Sequence, residues 1–114
     1  MIQSKFQSCI EACRECMVIC NQCATACLHE KEVAHLRHCI QLNWECAAIC
    51  EAAVKVMSLD GRFSKEICRT CKAVCTACAE ECQQHASMGM DHCKTCAEAC
   101  RRCARACEEM SAAA

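Results

Sequence analysis

Cysteine recurs along this chain at alternating steps of three and four residues, and this spacing restricts the possible fold more than any other feature. The steps form six Cys-x-x-Cys and eight Cys-x-x-x-Cys pairs. Residues three and four apart share one face of an α-helix, and the alternation is typical of the buried seam of a helical bundle. The seam normally carries Leu, Ile and Val, so this sequence predicts helices that point thiols at one another. The nineteen cysteines are Cys9, Cys13, Cys16, Cys20, Cys23, Cys27, Cys39, Cys46, Cys50, Cys68, Cys71, Cys75, Cys78, Cys82, Cys93, Cys96, Cys100, Cys103 and Cys107.

Few residues that break helices interrupt this pattern, because the chain has no proline and two glycines. Turn-forming residues cluster at 58–61 and 86–90. We therefore predict helices over residues 4–28, 31–58, 63–85 and 91–110. Short loops make successive helices antiparallel neighbours, so the predicted fold is an all-α, up-down-up-down four-helix bundle with a cysteine-lined core. We expect a single domain spanning residues 1–114.

The second helix departs from the pattern, because its seam carries Asn43 between cysteines and Ala53 after the last of them. It is also apolar on most sides, and such a helix is usually buried on more than one side. We therefore predict that it contributes to an oligomer contact, with Trp44 as an anchor. The alternative is an intramolecular helix on which Trp44 is half exposed.

The composition argues against several classes of protein. A cysteine content this high is common in small secreted disulfide scaffolds. Here, however, the cysteine count is odd, the first residues contain no export signal, and thiols along one helical stripe are poorly oriented for cystines. We therefore expect a cytoplasmic location. A net charge of −1 with few aromatic residues predicts no nucleic-acid surface, and no apolar stretch is long enough to span a membrane.

Closely spaced thiolates favour soft metal ions, and we expect Cu(I). Cu(I) tolerates two or three sulfur ligands, and one ion per bridging thiolate cancels the buried charge. This balance predicts a capacity of about 15–20 ions per chain. Zinc, or a broad soft-metal thiolate buffer, remains the alternative, although zinc sites usually consist of separated cysteine pairs.

Other uses of the cysteines fit less well. Iron–sulfur proteins present their ligands from loops with characteristic spacing, which this chain lacks. Dithiol oxidoreductases place one Cys-x-x-Cys at a helix N-terminus, whereas most pairs here lie within helices. Simple packing does not explain three unbroken seams, because Leu would fill a core better. We expect no enzymatic activity.

The antiparallel arrangement predicts two different ends of the bundle. All five histidines fall at one end, where His38, His85 and His92 are candidates for a metal entrance. An alternative is that these histidines are merely solvated polar residues near loops. The opposite end collects apolar residues and is expected to be closed; these are Phe6, Met57, Leu59, Phe63 and Met110.

The cysteine stripes and the sparser second helix resemble those of the bacterial copper storage proteins, and the resemblance covers essentially the whole chain. It implies a homotetramer of bundles, histidines near the open end, and Cu(I) held by the nineteen cysteines as ligands. It also implies copper buffering in the cytosol, with a copper chaperone or efflux protein as donor or acceptor. On this interpretation Asn43 and Ala53 leave local gaps in the row of ions.

Overall fold

The computed structural model describes the backbone of residues 2–112 and the side chains of residues 6–112. In this range the chain forms four α-helices, and no strand occurs among the described residues. The helices are α1 (Ile2–Leu28), α2 (Arg37–Ser58), α3 (Ser64–Ala86) and α4 (Asp91–Ala112). The all-α prediction is confirmed, and α1, α3 and α4 begin and end close to the predicted residues.

The predicted start of the second helix at residue 31 is wrong. A separate 3₁₀ helix, Val33–Leu36, precedes α2, and its last residue, Leu36, lies outside the α-helical region with φ −106° and ψ 5°. Leu36 is nevertheless buried in the core. The apolar pattern that predicts the second helix therefore begins before α2 itself, because a short 3₁₀ helix can also place one apolar side chain in the core.

The turn between α2 and α3 depends on Gly61. Its backbone N–H donates to the Val56 carbonyl at 2.9 Å, which satisfies one of the free carbonyls at the helix end. A Cβ at this position would lie 2.9 Å from the same oxygen. Asp60 just before it has a positive φ of 52°. The chain reverses direction here because the backbone of Gly61 lies against the Val56 carbonyl. Only glycine fits this close contact without displacing neighbouring atoms.

Each helix packs against two neighbours, so the bundle is four-cornered: α1 contacts α2 and α4, and α3 contacts α2 and α4. Thiol contacts give the directions. Cys9 near the start of α1 contacts Cys107 near the end of α4, and Cys27 at the end of α1 contacts Cys93 at the start of α4. Adjacent helices are therefore antiparallel, and the bundle measures 47 × 19 × 18 Å. No helix among the described residues is long and apolar enough to cross a membrane.

Candidate metal centre

The nineteen cysteines line the axis of the bundle. Each one is buried and each is a free thiol; Cys9, with 4% of its surface exposed, is the least buried. The helical stripes that the sequence places on single faces therefore all turn inward. The structure forms a continuous sulfur-lined core, which we call the bore.

The four helices bring their sulfur atoms within hydrogen-bonding distance of one another. Cys16 of α1 contacts the Sγ atoms of Cys46 on α2, Cys75 on α3 and Cys100 on α4 at 3.8, 3.9 and 3.8 Å. The shortest of these thiol contacts, 3.5 Å, joins Cys46 and Cys75. Because one residue contacts all three other helices, a metal ion at this level can draw ligands from every element.

Several groups of four thiols are compact enough to hold one ion, with all Sγ atoms within 4.8 Å of one another. A metal–thiolate bond of about 2.3 Å, as in zinc proteins, places two sulfurs that share an ion at most about 4.6 Å apart. The apo bore thus needs only small side-chain movements to bind metal. Examples are Cys13, Cys71, Cys103 and Cys107; Cys16, Cys20, Cys46 and Cys100; and Cys23, Cys27, Cys39 and Cys93.

Hydrogen bonds between thiols redistribute their acidity. Interaction with Cys107 lowers the pKa of Cys103 to about 7, and the same contact raises the pKa of Cys107. For both residues burial acts in the upward direction, because the thiolate loses its hydration. Metal binding must therefore displace protons from the buried thiols, and a bound cation supplies the charge that stabilises the resulting thiolates.

Asn43 places an amide inside the bore. This fully buried side chain accepts thiol hydrogen bonds at Oδ1 from Cys78 at 3.1 Å, Cys96 at 3.2 Å and Cys82 at 3.6 Å. Its Nδ2 donates to Cys39 Sγ at 3.8 Å. The gap expected in the second seam is therefore occupied by a polar group that joins cysteines of three helices.

The histidine-rich end of the bundle places one imidazole directly against a thiol. His92 is partly buried, and its Nε2 lies 3.4 Å from Cys27 Sγ. Its Nδ1 lies 4.0 Å from Glu30 Oε2. This distance is too long for a hydrogen bond, so the contact with the Cys27 thiol is the closer of the two.

The other two candidate histidines have different surroundings. His85 is buried, and its Nε2 lies 2.8 Å from Glu81 Oε2. His38 is on the exposed surface of α2. The structure thus brings His92 to the thiols, pairs His85 with a carboxylate and leaves His38 in solvent.

The opposite end is filled by apolar side chains. Phe6, Met57 and Met110 are buried, and the Cys68 thiol donates to Met57 Sδ at 3.7 Å. Leu59 and Phe63, which the sequence groups with them, are exposed. Three of the five expected residues are therefore buried at this end of the bore.

Comparison with known proteins gives the family. The profile described as "Csp: Copper storage protein" matches residues 2–112. This chain belongs to the copper storage protein family. A curated relative, the "uncharacterized cysteine-rich protein YhjQ" of Bacillus subtilis, is 54% identical over 65 residues; this match covers 57% of the chain and 60% of the relative. The match therefore spans less than two thirds of that relative's length.

Solved structures of copper storage proteins share the fold. The Cu(I)-bound copper storage protein BsCsp3 is 49% identical, with a TM-score of 0.89 over 95% of this chain and 99% of that one. A cytosolic copper storage protein from Streptomyces lividans with five coppers is 39% identical, with a TM-score of 0.91 over 99% of this chain and 97% of that one. Both structures therefore support the family assignment as well as the fold.

Sequence reasoning did not find all the groups that surround the thiols of this copper storage protein. Glu81 lies four residues before His85, and this helical spacing would have revealed the pair. Glu30 approaches His92 from a different part of the chain, so no local pattern indicates it. Asn43 was noticed as an interruption, but its thiol contacts depend on three helices meeting at one level.

Proposed function

We propose that this single-domain chain stores many Cu(I) ions on the thiolates of its bore and thereby buffers copper. The observation that carries the proposal is that all nineteen cysteines are buried, free and directed at a common axis. A row of bridging thiolates, each balanced by one ion, leaves the core without net charge.

All nineteen cysteines named above are the proposed ligands. The proposed entrance is the end that contains His38, His85 and His92. His92 has the strongest support, since it contacts Cys27. Buried Phe6, Met57 and Met110 support a closed opposite end.

The proposed setting is the cytoplasm, where thiols remain reduced. We propose storage without catalysis, exchange of copper with a chaperone or efflux protein, and assembly into a homotetramer. The exposed Trp44, an unusual residue to leave in solvent, supports an assembly contact on α2. Nucleic acid is not a proposed partner, because the net charge is −1 and the chain lacks a strongly basic face with aromatic residues.

A stoichiometric titration tests the proposal. Anaerobic, reduced protein is titrated with Cu(I), and bound metal is counted by elemental analysis after gel filtration. We expect saturation at about 15–20 ions per chain and nearly one proton released per ion at pH 7, because the buried thiols must ionise. Saturation near five ions per chain would contradict the proposal, as would binding that a weak Cu(I) chelator abolishes.

Zinc storage is the second candidate, and a specific observation favours it. The four-thiol groups described above are compact enough for tetrahedral zinc. Zinc would balance the same thiolate charge at half the ion number. Competition of the loaded protein against a Cu(I) chelator and, separately, against a Zn(II) chelator, followed by metal analysis, separates the two functions. Copper storage predicts that the protein keeps Cu(I) but loses zinc to the chelator, whereas a zinc store would keep zinc.

A further inference from the structure

Some thiols of the bore meet in threes as well as in pairs. Among the described side chains, four sets of three cysteines have every pair of Sγ atoms between 3.5 and 4.0 Å apart. All their members are fully buried, and each set draws on at least two helices. We call them the thiol triads: Cys16, Cys20 and Cys100; Cys16, Cys46 and Cys75; Cys50, Cys71 and Cys75; and Cys50, Cys71 and Cys103.

Two triads can be occupied at the same time. Cys16 belongs to two of the triads and Cys50 to the other two. A triad built on Cys16 therefore need not share a cysteine with a triad built on Cys50. One such separate pair is Cys16, Cys20 and Cys100 with Cys50, Cys71 and Cys103.

The spacing within the triads fits an atom that forms three bonds to sulfur. With bonds of about 2.3 Å, as in zinc thiolates, a pyramidal centre with angles of about 100° holds its sulfurs about 3.5 Å apart. A planar three-coordinate centre holds them about 4.0 Å apart, and a linear two-coordinate ion about 4.6 Å apart. The triad distances lie between the first two values. A three-coordinate centre thus needs little movement of the thiols, whereas a linear ion must separate them.

The bore also favours a ligand that brings no net charge. The buried side chains among residues 6–112 are apolar or thiol, apart from Asn43, Ser64 and His85. Nothing in the triads themselves can offset an uncompensated charge, and such a charge is costly to bury. Arsenous acid, As(OH)₃, is uncharged at neutral pH, and its arsenic forms pyramidal bonds to three sulfurs.

We propose that the thiol triads bind trivalent arsenic, so that the bore sequesters arsenite as a second cargo. In each site three S–H bonds and three As–O bonds break, three As–S bonds form, and three water molecules leave. No electron is transferred, no net proton is released, and the product is as neutral as the reactants. The apo protein is the acceptor, so the inference does not depend on copper storage. Three thiols per arsenic limit the nineteen cysteines to about six arsenic atoms per chain.

Native mass spectrometry of anaerobic, reduced apo protein with arsenite and excess glutathione tests the sites. Wild-type protein should retain at least two arsenic atoms, each replacing three thiol hydrogens. Cys16→Ser/Cys50→Ser breaks every triad and should bind the first two arsenic atoms about tenfold more weakly, because the remaining thiols are less well positioned. Cys39→Ser/Cys46→Ser is the matched control. It also removes two thiols but leaves two separate triads, so it should keep the wild-type affinity.

No retained arsenic in wild-type protein, or equal affinities in all three proteins, would overturn the assignment. X-ray absorption at the arsenic edge needs no variant and remains decisive if the double variant fails to fold. It should show three sulfur neighbours and no oxygen, and an arsenic–oxygen bond in the retained complex would overturn the inference. Arsenite uptake should also release no protons, unlike copper uptake. A protein that binds arsenite in this way but fails the copper titration would refute copper storage alone.

Discussion

A buried thiol in this protein behaves as a small apolar group until it loses its proton, and then as a soft anionic ligand. Both states occupy the same core position, so the side chain that packs the apo bundle is also the side chain that binds metal. The cysteine spacing alone was sufficient to place these residues inward. It was not sufficient to predict the contacts of Asn43 and His92 with thiols of other helices.

At this scale His92 provides a direct test of the entrance. We expect His92→Ala to slow the initial uptake of Cu(I) about tenfold, because its imidazole contacts the Cys27 thiol. The final copper capacity should not fall, because the proposed ligands of the stored ions are the cysteines. Uptake is measured by transfer from a coloured chelator. His29→Ala is the control, since His29 is exposed and its Nδ1 contacts the Thr25 carbonyl oxygen of its own helix. Equal uptake rates in the two variants would show that His92 does not contribute to the entry of Cu(I).

At the scale of elements, the sequence was informative about helices and less so about their ends. Three- and four-residue steps identified all four helices because they depend only on local geometry. The start of α2 was placed too early because buried Leu36 continues the apolar pattern into a 3₁₀ turn. The clearest turn was found from its residue types, and the structure adds the reason why Gly61 is needed there.

Gly61→Ala should destabilise the apo protein by about 1–3 kcal/mol, because the new Cβ would press against the Val56 carbonyl oxygen that Gly61 N–H binds. Urea unfolding followed by circular dichroism under reducing conditions measures this change as a lower midpoint. Ser87→Ala in the other turn is exposed and should shift stability by less than about 0.5 kcal/mol. An unchanged urea midpoint in Gly61→Ala would show that the turn accommodates the new Cβ without loss of stability.

At the scale of the whole molecule, four antiparallel helices together form the bore, which no single helix contains. Its existence was predictable from the matching stripes. The outer surface is also informative, because Trp44 is 52% exposed on a helix that is apolar on most sides.

If Trp44 anchors the proposed tetramer, Trp44→Glu should yield a smaller assembly, because it places a charge in an apolar contact. Light scattering coupled to gel filtration measures the mass. Leu59→Ser removes another exposed apolar side chain, at the closed end of the bundle, and should leave the assembly unchanged. A tetramer that persists in the Trp44 variant would place the contact elsewhere, and a wild-type monomer would end the proposal.

The apolar plug of Phe6, Met57 and Met110 has a consequence for how cargo is recovered. If copper enters and leaves only through the proposed entrance, ions bound beside Cys68 and Met57 must be released last. A proposed acceptor would then draw first on the most recently bound ions, and the earliest would be released only after long copper shortage.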